Sequence, residues 1–175
     1  MKSILFILVI LSFTFSNAQT YSDTPGDSIS DDGTTECYDL TVTGIGNIDD
    51  NFGLGTVCLS INHSWVGELE VSLVSPDGTI FALTEMDFGI WGNTGFTSTC
   101  FEQDAALVLD SGSDPYTGTF IPRGAMYSVN NGQNADGTWQ LCIRDLFAGT
   151  RGFLESWSID FNNNPAIQPP LGPQD

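Results

Sequence analysis

The residue best suited to proton transfer or metal binding is His63, the one histidine of the chain. It lies in the stretch NHSWVGELEVSLVSPDGT at 62–79, and the acidic residues Glu68 and Glu70 follow it. Ser-His-Asp catalysis needs a histidine held between a nucleophile and a carboxylate. The sequence has no G-x-S-x-G elbow, and paired carboxylates say little in a chain with 22 acidic residues. These observations favour a structural His63, hydrogen-bonded near a strand end, over metal ligation or pH sensing, and predict that the chain is not an enzyme.

The acidic residues are the second chemical feature, because 22 of them face only 4 basic residues and the formal net charge is −18. Such a surface repels nucleic acid and anionic membranes. Two interpretations stay open. The carboxylates form a solvated coat that keeps the protein dispersed, or some of them converge on calcium, which proteins bind through oxygen ligands.

The N-terminus predicts an exported protein. A lysine precedes an apolar run from Ile4 to about Leu11, and the stretch ends on Ser16-Asn17-Ala18. These are the n-region, h-region and cleavage site of a signal peptide, so we assign residues 1–18 to it and expect a secreted, extracellular protein. The apolar run is shorter than a membrane span of roughly 20 residues, and no other segment is longer.

Four cysteines fit an oxidising compartment, in which disulfides persist. None of Cys37, Cys58, Cys100 and Cys142 stands in a CxxC pair, so two disulfides are favoured over a zinc site. Three connectivities are open. Cys58 and Cys142 both fall on the outward side of a strand pattern, so a bridge between them is permitted but not shown.

Apolar alternation predicts β-strands throughout the central region. It runs through TVCLSINH, LEVSLVS, TWQLCIRD and SWSIDF, at 56–63, 69–75, 138–145 and 156–161. Gly- and Asp-rich turn signals such as SPDGT at 75–79 separate these segments, and no helical period is found. The pattern predicts a single all-antiparallel β-sandwich domain of low helical content, with the tryptophans of the last two segments in its core.

The two flanks lack an apolar period. Residues 19–35 are polar and rich in Gly, Ser and Asp, which predicts a flexible leader. Residues 163–175 contain four prolines and few core-forming side chains, which predicts an extended tail. The folded domain is therefore expected over residues 36–162.

Five ordered motifs in this region resemble those of the P domain, also called the P/Homo B domain. They are HSWVGELEVSLVSPDGT, TCFEQDA, PYTGTFIP, NGQNADGTWQLCIRD and AGTRGFLESWSIDF, at 63–79, 99–105, 115–122, 131–145 and 148–161. This module follows the subtilisin-like catalytic domain of proprotein convertases and kexins, and stand-alone forms occur in secreted bacterial proteins. The resemblance implies a jelly-roll-like antiparallel β-sandwich that is not catalytic.

The resemblance also implies a calcium site. Residues 86–93 correspond to a Gly-rich, Asp-bearing loop of bacterial P domains, and residues 101–105 to a Phe-Asp-Asp-x-Ala-like segment. The implied metal ligands are Glu68, Asp87, Asn93, Glu102 and Asp104. The sequence departs from the family where Asn93 replaces an acid and where Glu102 and Asp104 are not adjacent. The alternative is that these residues cap turns.

Two functions follow from these observations. The first is a non-catalytic secreted module that binds or stabilises a protein, cell-surface or other extracellular partner, with no contact to nucleic acid and no membrane insertion. The second is an accessory domain or subunit that completes a subtilisin-like serine endopeptidase. Trp65 and Trp91 lie in turn-like segments, where an exposed side chain would be available to a partner.

Overall fold

The structure is a computed structural model, and it describes residues 18–87 and 94–170. Within them lie ten β-strands and three short 3₁₀ segments. The strands are β1 Gln19–Asp23, β2 Asp27–Ile29, β3 Thr35–Val42, β4 Gly53–His63, β5 Leu69–Val74, β6 Ile80–Thr84, β7 Phe96–Phe101, β8 Tyr116–Phe120, β9 Gly137–Asp145 and β10 Gly152–Asn162. The 3₁₀ segments are Val66–Glu68, Leu109–Ser111 and Met126–Val129. The low helical content that the sequence predicts is confirmed over these residues.

The strands form two sheets that face each other across one core. The first sheet has the order β1-β10-β4-β7-β8, with β2 also paired to β10, and the second has the order β3-β9-β5-β6. The predicted all-β sandwich is therefore confirmed. One pairing departs from the all-antiparallel prediction, because β7 and β8 run parallel.

Alternation explains why these segments fold as they do. Val57, Leu59 and Ile61 of β4 are buried, while the residues between them face outward and are half-exposed. The core tryptophans Trp139 and Trp157 are both buried, as their inward positions predict. Burial of one such side chain contributes on the order of 1.5–3 kcal/mol or more.

The sandwich has two ends, a histidine end and a tail end. At the histidine end, His63 of β4 pairs with Gly152 of β10, and residues 64–68, 85–87 and 146–151 connect the strands. At the tail end, β1 and β10 meet where Gln19 pairs with Phe161. The described part of the chain has no helix of the length and hydropathy needed to cross a bilayer.

Two disulfides join neighbouring strands, one disulfide in each sheet. Cys37 of β3 bonds to Cys142 of β9, and Cys58 of β4 bonds to Cys100 of β7. These pairs settle the connectivity that the sequence left open, and the permitted Cys58 to Cys142 bridge does not form. Both residues do face outward, but they belong to opposite sheets, so their side chains point away from each other.

The predicted flexible leader is also wrong for most of its length. Residues 19–23 and 27–29 form β1 and β2, which pair with opposite halves of β10. Tyr21 lies edge-on to Phe161 with ring centroids 6.1 Å apart, and Ile29 is buried. Edge strands such as these are held by backbone pairing, so they need no long apolar pattern.

The chain crosses between the sheets after β4. The next strand, β5, pairs with β6 and β9 of the opposite sheet. The 3₁₀ segment Val66–Glu68 makes the crossing. The following turn is as predicted, since Gly78 has a φ of 87° that glycine adopts readily.

The proline-rich tail is anchored at its start. The amide of Ala166 donates to the carbonyl of Leu54 at 2.8 Å, and the side-chain amide of Asn130 donates to the carbonyl of Ala166 at 2.8 Å. Ala166 is buried as a result. The first residues of the predicted tail therefore belong to the domain.

Candidate functional site

His63 lies at the centre of the most developed polar site in the described residues. The side chains of His63 and Asp145 are 0% and 1% exposed, and His63 Nε2 lies 3.0 Å from Asp145 Oδ2. The pair connects β4 of one sheet to β9 of the other. Burial of a charged carboxylate is unfavourable unless hydrogen bonds compensate it, so both partners depend on each other.

Both ring nitrogens of His63 are engaged. The backbone N–H of Trp65 donates to Nδ1 at 3.1 Å, which assigns the ring proton to Nε2, and Nε2 donates to Asp145. A general base needs a free nitrogen beside the nucleophile, and this arrangement leaves none. The prediction that His63 is hydrogen-bonded near a strand end is confirmed.

The sequence analysis missed Asp145, although a signal for it exists. The inward positions of β4 continue Val57, Leu59, Ile61 to His63, and those of β9 continue Leu141, Ile143 to Asp145. A polar residue therefore takes the last inward position of both strands. Because a buried polar group requires a partner, that coincidence predicts the pair.

The predicted calcium ligands lie at opposite ends of the sandwich. Glu68 and Asp87 are at the histidine end, where the amide of Asp87 donates to the carbonyl of Gly67 at 3.0 Å. Glu102 is at the tail end, where its carboxylate accepts from the hydroxyl of Thr56 at 2.9 Å. Thr56 and His63 are separated by about 20 Å along β4 at ~3.3 Å per residue.

Asp104 and Glu68 have different surroundings. Asp104 is exposed beside the tail, across a groove that Pro165 and Ala166 help to line. The carboxylate of Glu68 accepts from the hydroxyl of Thr150 at 2.9 Å. Asn93 lies outside the described residues.

Asp87 has a cationic partner that the sequence analysis did not predict. Nη2 of Arg123 donates to the carboxylates of both Asp87 and Asp110. The guanidinium thus balances the negative charge of these carboxylates, which a bound metal cation would otherwise balance. Within 18–87 and 94–170, no group of three or more acidic, His or Cys side chains is placed to hold a metal ion. The four described ligands therefore do not fit one calcium site.

The histidine end exposes apolar side chains on three separate loops. Trp65 is 43% exposed, Met86 40% and Phe147 44%. Hydrogen bonds connect these loops, since the amide of Leu146 donates to the carbonyl of Glu68 at 3.2 Å. Exposed apolar surface rimmed by polar groups is typical of a contact site for another protein. Trp91 lies outside the described residues.

The fold and the site together define a disulfide-bonded β-sandwich whose single histidine has a structural role. The chain belongs to the proprotein convertase P-domain family, whose model matches residues 55–161. The resemblance read from the sequence motifs is therefore confirmed. The P domain is a non-catalytic accessory module.

Two curated relatives are enzymes by name. The chain is 24% identical over 148 residues to the transglutaminase-activating metalloprotease of Streptomyces mobaraensis, which covers 85% of this chain. It is 28% identical over 106 residues to leupeptin-inactivating enzyme 1 of Streptomyces exfoliatus, which covers 60% of this chain. The chain spans only 16% and 18% of these two relatives.

Solved structures that this chain matches include the serine protease of Aeromonas sobria, alone and in complex with the chaperone ORF2. Both match with a TM-score of 0.47, and the sequence identities are 18% and 19%. Each match covers 84% of this chain and 26% of the protease chain.

Proposed function

We propose that this chain is a non-catalytic secreted module that binds and stabilises a protein partner. The observation that carries the proposal is its membership of the P-domain family over residues 55–161. The engaged nitrogens of His63 support a structural role for the residue best suited to catalysis. The exposed apolar side chains of Trp65, Met86 and Phe147 supply a surface for the partner.

Export is the second part of this proposal. The two disulfides suit an oxidising compartment. Cleavage of the predicted signal peptide after Ala18 would release a chain that starts at the first residue of β1, so the whole described domain would remain. N-terminal sequencing of the secreted protein tests this part directly.

The alternative function is an accessory domain or subunit of a subtilisin-like serine endopeptidase. It is supported by the family, but the names of the relatives widen the choice, since one is a metalloprotease. The partner is therefore proposed as a protease catalytic domain, without restriction to the serine class.

An assay of the purified chain 19–175 separates the module from an enzyme. We expect no cleavage of casein or of a dibasic peptide. Proteolytic activity would contradict the non-catalytic module if it were abolished by His63→Ala but not by a chelator.

A second assay addresses the partner. The chain is mixed with a protease catalytic domain from an adjacent reading frame, and the half-life of proteolytic activity is measured on heating. We expect the half-life to increase with the chain and to increase less with a Trp65→Ser, Phe147→Ser variant. A chain with Ile80→Ser, an exposed apolar residue of β6 at the tail end, serves as the matched control. An equal effect of all three chains would contradict a contact through the histidine end.

Calcium binding stays a prediction from the sequence. If the ion binds, the melting temperature should fall with a chelator and recover when calcium is added. The Asp87→Asn and Glu102→Gln variants, at opposite ends of the sandwich, would then show which end responds. A melting temperature that does not change would contradict the prediction.

A further inference from the structure

Gln19 lies where the predicted signal peptide ends and the folded domain begins. It follows Ala18 in the sequence, and it is the first residue of β1. Cleavage after Ala18 would therefore leave a glutamine with a free α-amine at the head of an edge strand. A terminal glutamine can react with itself, because its α-amine and its side-chain amide carbon close an unstrained five-membered ring.

We propose that Gln19 is a modification site that cyclises to pyroglutamate once the signal peptide is removed. The α-amine nitrogen attacks Cδ of the side-chain amide, and a bond forms between these two atoms. The bond from Cδ to Nε2 then breaks, and Nε2 leaves as ammonia with the proton that the amine gives up. The step is internal to the residue and needs no oxidant or second reactant. The inference rests on the export part of the proposed function, since only cleavage after Ala18 exposes this amine.

The contacts of the Gln19 side chain leave it available for this step. The residue is partly exposed, and its Oε1 lies 3.3 Å from the hydroxyl of Tyr21. That hydroxyl also lies 2.5 Å from the carbonyl oxygen of Thr43, and a phenol has a single proton to donate. The shorter contact takes the proton, so withdrawal of the Gln19 side chain costs Tyr21 no hydrogen bond. Within residues 18–87 and 94–170, the Gln19 side chain makes no other hydrogen bond.

The product also fits the head of β1. Gln19 pairs with Phe161 of β10, and residues 20–23 continue this pairing as far as Trp157. A proline at this position would have no backbone N–H, whereas the lactam nitrogen of pyroglutamate keeps one hydrogen. A donor thus remains at the first position of the strand, while the charge of the amine is lost.

The ring protects a strand that covers the edge of a sheet. β1 lies along the outer side of β10, and Tyr21 lies edge-on to Phe161 with ring centroids 6.1 Å apart. Removal of residues from the N-terminus would shorten β1 one pair at a time. Aminopeptidases bind the free α-amine of their substrates, so a cyclised Gln19 closes the chain to them and preserves the edge strand after export.

Mass spectrometry of the secreted protein tests the inference. The full chain is expressed with its own signal peptide, and its intact mass is measured without reduction. We expect the mass of residues 19–175 with two disulfides, lower by one ammonia. Stepwise N-terminal sequencing of the denatured protein should give no signal until a pyroglutamyl peptidase removes the ring, and should then begin at Thr20.

Gln19→Ser is the matched control, because serine has no amide with which the amine could react. This variant should have the mass of its free-amine form and should sequence directly from residue 19. A wild-type chain that sequences directly from Gln19 would overturn the cyclisation and leave the export proposal intact, whereas a chain that begins at another residue would overturn both. A blocked Gln19→Ser variant would also overturn the cyclisation, because the block would then not depend on the glutamine.

Discussion

At the scale of single residues, the His63 and Asp145 pair is a buried polar contact between the two sheets. Every polar atom of the two side chains has a partner within the fold, and both residues are buried. Removal of either residue leaves the other buried without the partner that compensates its burial. In buried pairs, the resulting loss of unfolding free energy exceeds the contribution of one hydrogen bond.

We predict that His63→Ala lowers the free energy of unfolding by about 3–5 kcal/mol, because the carboxylate of Asp145 stays buried without its donor. Urea unfolding at neutral pH measures the change. Asp145→Asn is the matched control, since it keeps a hydrogen-bonding side chain without the charge, and its loss should be smaller. Equal stability of His63→Ala and the wild type would contradict the buried pair.

Tyr38 on β3 makes stability depend on alkaline pH. Burial, followed by the charges of Glu36 and Asp27, raises its pKa from 10.0 to about 12. In the unfolded chain the phenol ionises near pH 10. Between these two values the folded state binds more protons than the unfolded state, so stability falls as the pH rises.

The expected result is a steady decrease of the urea midpoint from about pH 10 to about pH 12. Tyr38→Phe cannot ionise and should remove the part of this slope that Tyr38 causes. A slope that is the same in both proteins would show that other groups cause the alkaline loss.

At the scale of strands, the two disulfides differ in the length of chain that they close. Cys37 and Cys142 are 105 residues apart, whereas Cys58 and Cys100 are 42 apart. The entropy that a crosslink removes from the unfolded chain grows slowly with this length.

We therefore predict that the Cys37→Ala, Cys142→Ala double variant loses about 4.7 kcal/mol and the Cys58→Ala, Cys100→Ala double variant about 4 kcal/mol. Denaturant unfolding of the two variants beside the wild type measures both losses. A larger loss for the shorter loop would mean that native contacts near Cys58, and not chain entropy, dominate.

The strands also show how far sequence reasoning reaches. The segments predicted at 138–145 and 156–161 match β9 and β10, because one apolar face produces a regular alternation. QTYSD offers no such face, so β1 was missed, and its place depends on backbone pairing with β10. The family resemblance implies Glu68 and Glu102 as ligands of one calcium site, but the strand register places them at opposite ends of the sandwich.

At the scale of the whole molecule, the scarcity of basic residues leaves trypsin few sites at which it can cleave the chain. Beyond the first 18 residues the chain has three arginines and no lysine. Arg123 is held by two carboxylates and Arg144 lies within β9, whereas Arg151 ends an exposed loop.

We predict that trypsin cleaves first after Arg151. Fragment 152–175 contains no cysteine, so it should separate in denaturing gels without reduction and stay bound under native conditions through β10. Mass spectrometry identifies the fragment, and Arg151→Gln should remove it. Earlier cleavage after Arg123 or Arg144 would contradict the fold at those positions.

The pairing of Gln19 with Phe161 determines at which end of the sandwich a fused tag would lie. Along β10, nine steps of ~3.3 Å place this pair about 30 Å from Gly152 and the histidine end. A tag or surface anchor fused at Gln19 would therefore leave from the end opposite His63. A domain immobilised through this residue would present His63 and its loops outward, so a sensor chip could be built without shielding them.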